Sequence, residues 1–341
     1  MVAQSDTKLR TTDYQLLTKK TMYEGTFHHY QILINPEASQ RYPVNFATHL
    51  YNNDAHLAHQ PCGERVDFLL INTKKQVTEA AFHIFIENDQ ALSPCRAPFG
   101  GLEFQAGLRL EVLQFFWENV EAFLQTQHLK SLKIKAYPVC YQPENAQILH
   151  YLLLQNGFQI TAHDLNYHLP IRETPFLSHL HHSEKRRLQK CHQRGYRFEQ
   201  WATPDFAWVH RFIQQNRDRK GYPTSLSAQA LQSLYQQFPD HFKLFVVKDQ
   251  ERIIALATGI KVSKAILYYF LPADDAAYLA DSPMVQLLEG MYQYGQQQGY
   301  SILDLGISTE LSQPNYGLIN FKKNLGAETS LKWTFVKEFA G

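Results

Sequence analysis

The chain has 341 residues, 44% of them hydrophobic, with 22 Phe and 19 Tyr. That is material for two cored domains at ~150 residues each, and it excludes a chain disordered throughout, since such chains are poor in aromatics and high in net charge. The 33 basic and 32 acidic residues leave +1 with His neutral, which excludes a uniformly basic nucleic-acid coat but not a local patch. No apolar run approaches the ~18 residues needed to cross a bilayer. The first residues, MVAQSDTKLRTTDYQ, lack the hydrophobic stretch of a signal peptide. Cys62, Cys95, Cys140 and Cys191 stand 33, 45 and 51 positions apart with no C-x-x-C pair. Neither a zinc ribbon nor a thioredoxin-type motif is expected; reduced thiols in a cytoplasmic protein are.

In chain order, residues 66–71 and 79–87 flank the polar turn Asn72-Thr73-Lys74-Lys75 and read as a hairpin. Residues 93–101 carry two prolines and Gly100-Gly101, which is loop chemistry. From Leu108 the period changes: Leu113, Phe116, Val120 and Phe123 predict a helix with one buried face. Residues 131–135 alternate as a strand, 144–155 form a helix closed by Asn156-Gly157, and 158–169 form the last strand of this half.

The second half repeats the order. Residues 242–247 and 253–260 flank the turn Lys248-Asp249-Gln250-Glu251, and 265–271 form another strand. Asp281-Ser282-Pro283 opens a helix whose stripe is Met284, Leu287, Leu288 and Met291, and Gly299 ends it. A strand at 301–305, a short helix at 316–324 closed by Gly326, and a strand at 331–336 complete the chain. Pairing Gly157 with Gly326 sets Leu149 against Leu318 and Leu152 against Phe321. A repeat of this period predicts two copies of one α/β unit, spanning 1–172 and 173–341.

The repeated order resembles the GNAT acyltransferase fold, and Pro143-Glu144-Asn145 through Asn156-Gly157-Phe158 is similar to that family's "N…A…L…GF" ending. The fold class this implies is α/β, two tandem GNAT-like units with mixed, largely antiparallel sheets. A tandem pair resembles the Fem-type peptidyltransferases and the FemAB-like acetyltransferases, and three segments carry that narrower likeness. The first, residues 183–195, is similar to the family's "RRNIRKAEKxG" helix and turn. The second runs from Ser282-Pro283-Met284 to Gly299-Tyr300 and on to Leu303-Asp304-Leu305-Gly306. The third, Gly317 through Phe321-Lys322-Lys323-Asn324-Leu325-Gly326, resembles the "G…FK…G" signature.

The likeness covers residues 175–341, whereas the first half matches only in its pattern of elements. It implies an N-acyltransferase that moves an acetyl or aminoacyl group from a thioester or ester to an amine. Acyl-CoA, acetyl-CoA above all, is the implied donor, without a metal. The implied acceptor is a small-molecule or nucleotide-linked amine. A Fem-type ligase of cell-wall precursors would instead draw on aminoacyl-tRNA, and a silent binding protein would keep the fold for a nucleotide-linked ligand.

Acyl transfer needs a polarised carbonyl, a deprotonated amine and a protonated leaving group. By the resemblance, Lys322 sits near the reacting carbonyl, with Phe321 anchoring its helix in the core. Asp304, on a central strand among apolar residues, and Tyr316 are the candidate proton handlers. Arg186, Arg187, Lys190 and Arg194 lie on one helical face and suit phosphates. No Q/R-x-x-G-x-G/A precedes either long helix. Gly100 and Gly101 in the first half and Ser282 in the second are the nearest substitutes for a pyrophosphate cradle. His49, His56 and His59 read as scattered surface histidines. No G-x-S-x-G elbow and no P-loop is present.

Overall fold

A computed structural model describes residues 26–223 and 226–339; the signal-peptide reading falls on residues outside that range. The first half runs β1 (Thr26–Phe27), β2 (Tyr30–Ile34), α1 (Asp54–His59), β3 (Glu64–Asn72), β4 (Val77–Glu87), β5 (Gln90–Ser93), β6 (Glu103–Phe104), α2 (Leu110–Thr126), β7 (Ser131–Lys135), α3 (Pro143–Gln155) and β8 (Gln159–Pro170). The second runs α4 (His182–Gln193), β9 (Arg197–Gln200), α5 (Phe206–Lys220), α6 (Ala228–Gln237), β10 (Phe242–Asp249), β11 (Arg252–Lys261), β12 (Ile266–Asp274), α7 (Pro283–Gln298), β13 (Ile302–Ile307), β14 (Thr309–Glu310), β15 (Gln313–Pro314), α8 (Tyr316–Asn324) and β16 (Glu328–Glu338).

The elements arise where the side-chain period requires them. α2 buries Val112, Leu113, Phe116, Val120 and Leu124 along one face. α7 buries Val285, Leu287, Leu288 and Met291, starts with Pro283 and stops at Gly299, whose φ of +74 only glycine adopts freely. β3 and β4 are buried on both faces, hence their continuous apolar runs. The basic segment is helical over 182–193 and then becomes the edge strand β9.

All strands except β14 and β15 join one 14-stranded sheet, and the two halves exchange their last strands within it. The order is β1-β2-β3-β4-β5-β7-β16-β8-β13-β12-β11-β10-β9, with β6 paired to β4. Thus β8 pairs with β13 of the second half, β16 pairs with β7 of the first, and β8 and β16 lie antiparallel down the centre. The α2, α3 and β7 side chains form one core, and α4, α7 and α8 cover a second on the continuing sheet.

One junction positions the site. β12 and β13 run parallel but pair only over Ile266, Leu267 and Tyr268 with Ile302, Leu303 and Asp304. Beyond these residues β12 stays with β11 and β13 stays with β8, so a wedge opens between them. Leu271 has φ +49, an uncommon backbone for a branched residue, and marks the bend of β12.

Two expectations are corrected. Cys62 and Cys95 are joined in a disulfide, their Cα atoms 6.4 Å apart, and only Cys140 and Cys191 are free. The spacing hid this because the 33-residue separation folds into β3, β4 and β5, which bring both ends of that segment together. His49 and His56 are not surface residues. His49 is buried with its Nδ1 2.5 Å from a Glu103 oxygen, and His56 packs against Tyr51 and Phe238.

Candidate active site

The β13 end of the wedge is irregular. Leu305 is an extra residue between the pairs Asp304↔His168 and Gly306↔Tyr167, and Gly306 has φ +74. A side chain at Gly306 would press within 3.3 Å of the Tyr268 ring, so glycine is required there twice over. The bulge turns the carbonyls of Gly306 and Ile307 out of the ladder, towards α8.

Lys322 answers them. Its ammonium donates to Gly306 O at 2.8 Å and to Ile307 O at 2.9 Å. The α8 helix that carries it is capped by Asn315, whose side chain accepts the Leu318 N–H at 3.0 Å. The sequence pattern turns Phe321 inward and leaves Lys322 beside it; the structure buries Lys322, 3% exposed, and leaves Phe321 half-buried. Burial pushes the Lys322 pKa down to about 7 against the opposing pull of Asp304. An ammonium has three donors; the third N–H has no hydrogen-bond acceptor among the described residues, and the ammonium lies 6.0 Å from the centre of the Tyr167 ring.

Asp304, two residues before Gly306 on the same strand, is a hydrogen-bond hub. It accepts from Tyr141 Oη at 2.6 Å, from Asn166 Nδ2 at 2.8 Å and from the Gly306 N–H at 2.9 Å. Tyr141 comes from the first half, 163 positions away, and is buried with its hydroxyl pKa raised by burial and by the Asp304 charge. Gly306 therefore serves both groups: its N–H points to Asp304 and its C=O to Lys322.

Tyr316 does not join them. It stands in the first turn of α8, 70% exposed, and the tyrosines facing Asp304 are Tyr141 and, across the ladder, Tyr268. Tyr141, Asn166 and Tyr268 carried no local signal; only the folded sheet brings them to Asp304.

The residues read as a cofactor cradle are committed elsewhere. Gly100 N–H donates to Lys135 O and Gly101 N–H to Ser93 Oγ, and a side chain at Gly100 would collide with Pro94 at 2.8 Å. These are packing glycines with no free N–H for a phosphate. Ser282 precedes α7 in a left-handed conformation and makes no capping hydrogen bond. Pro283 has no N–H, and Val285 N–H is already bonded to Ser282 O. The adjacent carboxylate of Asp281 is held by Lys190 at 2.6 Å and Tyr196 Oη at 2.6 Å. Its pKa is lowered by those two hydrogen bonds, so an anion stands where a pyrophosphate would. A coenzyme A pyrophosphate does not fit this helix start.

The basic face is also partly committed. Arg187 pairs with the buried Glu184 at 2.8 Å and Lys190 with Asp281, which leaves Arg186 and Arg194 without an ion pair among the described residues. Also among the described residues, no group of three or more His, Cys, Asp and Glu is placed to hold a metal, and no helix is long and apolar enough to cross a membrane.

Residues 181–323 match the family model described as an acetyltransferase (GNAT) domain. The crystal structure of FemX superposes over 85% of this chain and 92% of its own, with a TM-score of 0.65 and 12% identity. The chain shares the FemX fold, and its second half is a GNAT domain. The C-terminal domain assigned to a lysylphosphatidylglycerol synthetase of Agrobacterium fabrum covers 76% of this chain and 82% of its own, at TM-score 0.51 and 13% identity. A Bacteroides thetaiotaomicron protein of unknown function covers 80% and 86%, at 0.53 and 9%. No curated protein sequence matches the chain. At these identities the structural likeness establishes the fold, and the GNAT domain match falls on the half that carries Lys322 and Asp304. The gap between the parallel strands β12 and β13 lies within this half.

Proposed function

We propose that this GNAT-fold chain is an acyltransferase that moves an acyl or aminoacyl group to an amine at the β13 bulge of its second half. One observation carries the reading: a lysine ammonium buried at the open wedge, fixed by two backbone carbonyls, with one N–H left over. Under the Gly157/Gly326 pairing, the same position in the first half is Leu153, a fully buried apolar residue. The first half therefore supplies Tyr141 and scaffolding rather than a second centre.

The chemistry follows from the geometry. When the amine nitrogen attacks the ester or thioester carbon, negative charge gathers on the carbonyl oxygen. Lys322, its ammonium fixed by two backbone carbonyls, offers that oxygen its remaining N–H, so little reorganisation is needed as the charge forms. Asp304, held by Tyr141, Asn166 and Gly306, keeps acceptor capacity for a proton of the attacking nitrogen. The proton is passed to the leaving oxygen or sulfur as the tetrahedral intermediate collapses to the amide.

The donor is the second question, and the start of α7 favours an ester over coenzyme A. Asp281 and Pro283 remove the charge and the N–H groups a pyrophosphate needs. An aminoacyl-tRNA ester makes no such demand. Calorimetric titration with acetyl-CoA and with coenzyme A alone decides it. Heat at micromolar concentrations from either would restore the thioester donor; silence from both, with transfer from aminoacyl-tRNA, supports the ester.

A further inference from the structure

The face of the central sheet that carries Asp304 is polar across five strands. Residues directly opposed in a ladder point to the same side. The register links Tyr268 to Asp304, Asp304 to His168, His168 to Glu328, Asn166 to Ser330, and Asp164 to Lys332. Thr334, two residues beyond Lys332, opposes Lys135, and Lys133 lies two residues before Lys135 on the same face of β7. Lys133, Lys135 and Lys332 thus form a basic strip at the far end of the stripe that begins at Asp304.

These lysines are unusual in their partners. Lys332 donates only to the Pro98 carbonyl, at 2.9 Å, which leaves two of its three N–H groups. Neither Lys135 nor Lys133 makes an ion pair or a side-chain hydrogen bond among the described residues. Lys332 and Lys135 are both half-buried, and in each burial pushes the pKa down; Asp164, opposite Lys332 in the ladder, and Asp304 pull Lys332 back up while Lys135 lowers it, and Lys133 lowers Lys135. For Lys135, a positive charge drawn partly out of water beside another cation and with no acidic partner is costly. Between the strip and Asp304, the buried Ser330 Oγ and His168 Nδ1 have no hydrogen-bond partner. Buried polar atoms are normally satisfied, so two unpaired atoms on this one face mark a place that a ligand completes.

We propose that Lys135 and Lys332 hold an anionic group, carboxylate or phosphate, of the amine acceptor, and that the acceptor lies along the stripe past Ser330 and His168 to Asp304. The binding site stands on the geometry alone; its assignment to the acceptor rests on the acyltransferase reading. Lys332 is two strands across and four residues along from Asp304, roughly 16 Å between Cα atoms at ~4.8 Å per strand and ~3.3 Å per residue. The acceptor therefore carries its amine and its anion well apart, at opposite ends of an extended molecule.

The test uses the full chain and two probes, inorganic pyrophosphate and glutarate, titrated by calorimetry at low and high salt. Wild type is expected to bind at least one, more weakly as salt rises; which one binds separates a phosphate from a carboxylate. Lys135→Gln and Lys332→Gln are each expected to weaken that binding tenfold or more, while Lys185→Gln on α4 leaves it unchanged. Should Lys332→Gln fail to fold, Lys135→Gln, which gives up no hydrogen bond, carries the same expectation. No binding to wild type, or equal binding to the Lys135 variant, overturns the inference. Failure of the acyltransferase reading looks different: anion binding persists, but no transfer is seen with any donor.

Discussion

The Lys322 ammonium and the Gly306 carbonyl meet at 2.8 Å, and the same glycine's N–H is bonded to Asp304. Gly306, through its two adjoining peptide groups, thereby ties the Lys322 cation to the Asp304 carboxylate. Neither group can shift without the other's anchor moving, which is the kind of fixed environment that charge stabilisation requires.

Tyr141→Phe tests the link between the halves. It removes a 2.6 Å hydrogen bond to a buried carboxylate. Bonds to charged groups contribute about 1.5–3 kcal/mol, so denaturant unfolding should show a loss of about 2 kcal/mol. Turnover should fall about tenfold as Asp304 loses one of its three holds. Unchanged stability and turnover would show that Asp304 is held by Asn166 and Gly306 alone.

The basic helix makes a graded prediction. Lys190→Ala leaves Asp281 with Tyr196 as its remaining side-chain donor and should cost about 1 kcal/mol, discounted because Lys190 is partly exposed. Arg186→Ala breaks no ion pair and should fall within ~0.5 kcal/mol of wild type. A large loss in the Arg186 variant would reveal a partner that the fold does not show.

Alkylation of the denatured, unreduced protein followed by mass spectrometry should label Cys140 and Cys191 only; with reductant all four cysteines should react. Closing a loop of this length stabilises by about 3.5 kcal/mol in the chain-entropy description. Cys62→Ser/Cys95→Ser should lose on that order. Labelling of four thiols without reductant would remove the disulfide.

The repeated element order was legible because helix and strand periods survive in short windows. Every strand and helix of the repeat appears within a few residues of its expected place, and 131–135 and 316–324 coincide with it. The exchange of β8 and β16 was not legible, because a strand's neighbours depend on pairing hundreds of residues apart. Helices α5 and α6, rich in Gln and Arg with short apolar stripes, gave no comparable period. At the site, Lys322 and Asp304 could be found from a motif and a strand. Tyr141 and the lysines of β7 and β16 could not, since only sheet register brings them into line. Gly100-Gly101 misled: two glycines mark a close backbone approach, and here the neighbour is Pro94 rather than a phosphate.

Linkage gives Lys322 a pH signature. Its folded pKa is about 7, below the ordinary lysine value of 10.5. Below pH 7 it is charged in both states, and the cost of burying the charge is fully present. Between pH 7 and 10.5 the unfolded chain binds the extra proton, so stability rises with pH across that window. Relative to Lys322→Met, which cannot titrate, wild type should gain on the order of 4 kcal/mol from pH 6 to pH 10. A constant difference between the two proteins across that range would place the ammonium in water.

The most direct measurement is the pH profile of acyl transfer by wild type and Lys322→Met, with the donor that supports turnover. Lys322 acts in its charged form, so wild-type turnover should carry a falling limb near pH 7. In the methionine variant turnover should drop on the order of 100-fold, with little change in KM, and that limb should vanish. Equal turnover in the two proteins, or a limb that persists without the lysine, would contradict a centre built on Lys322.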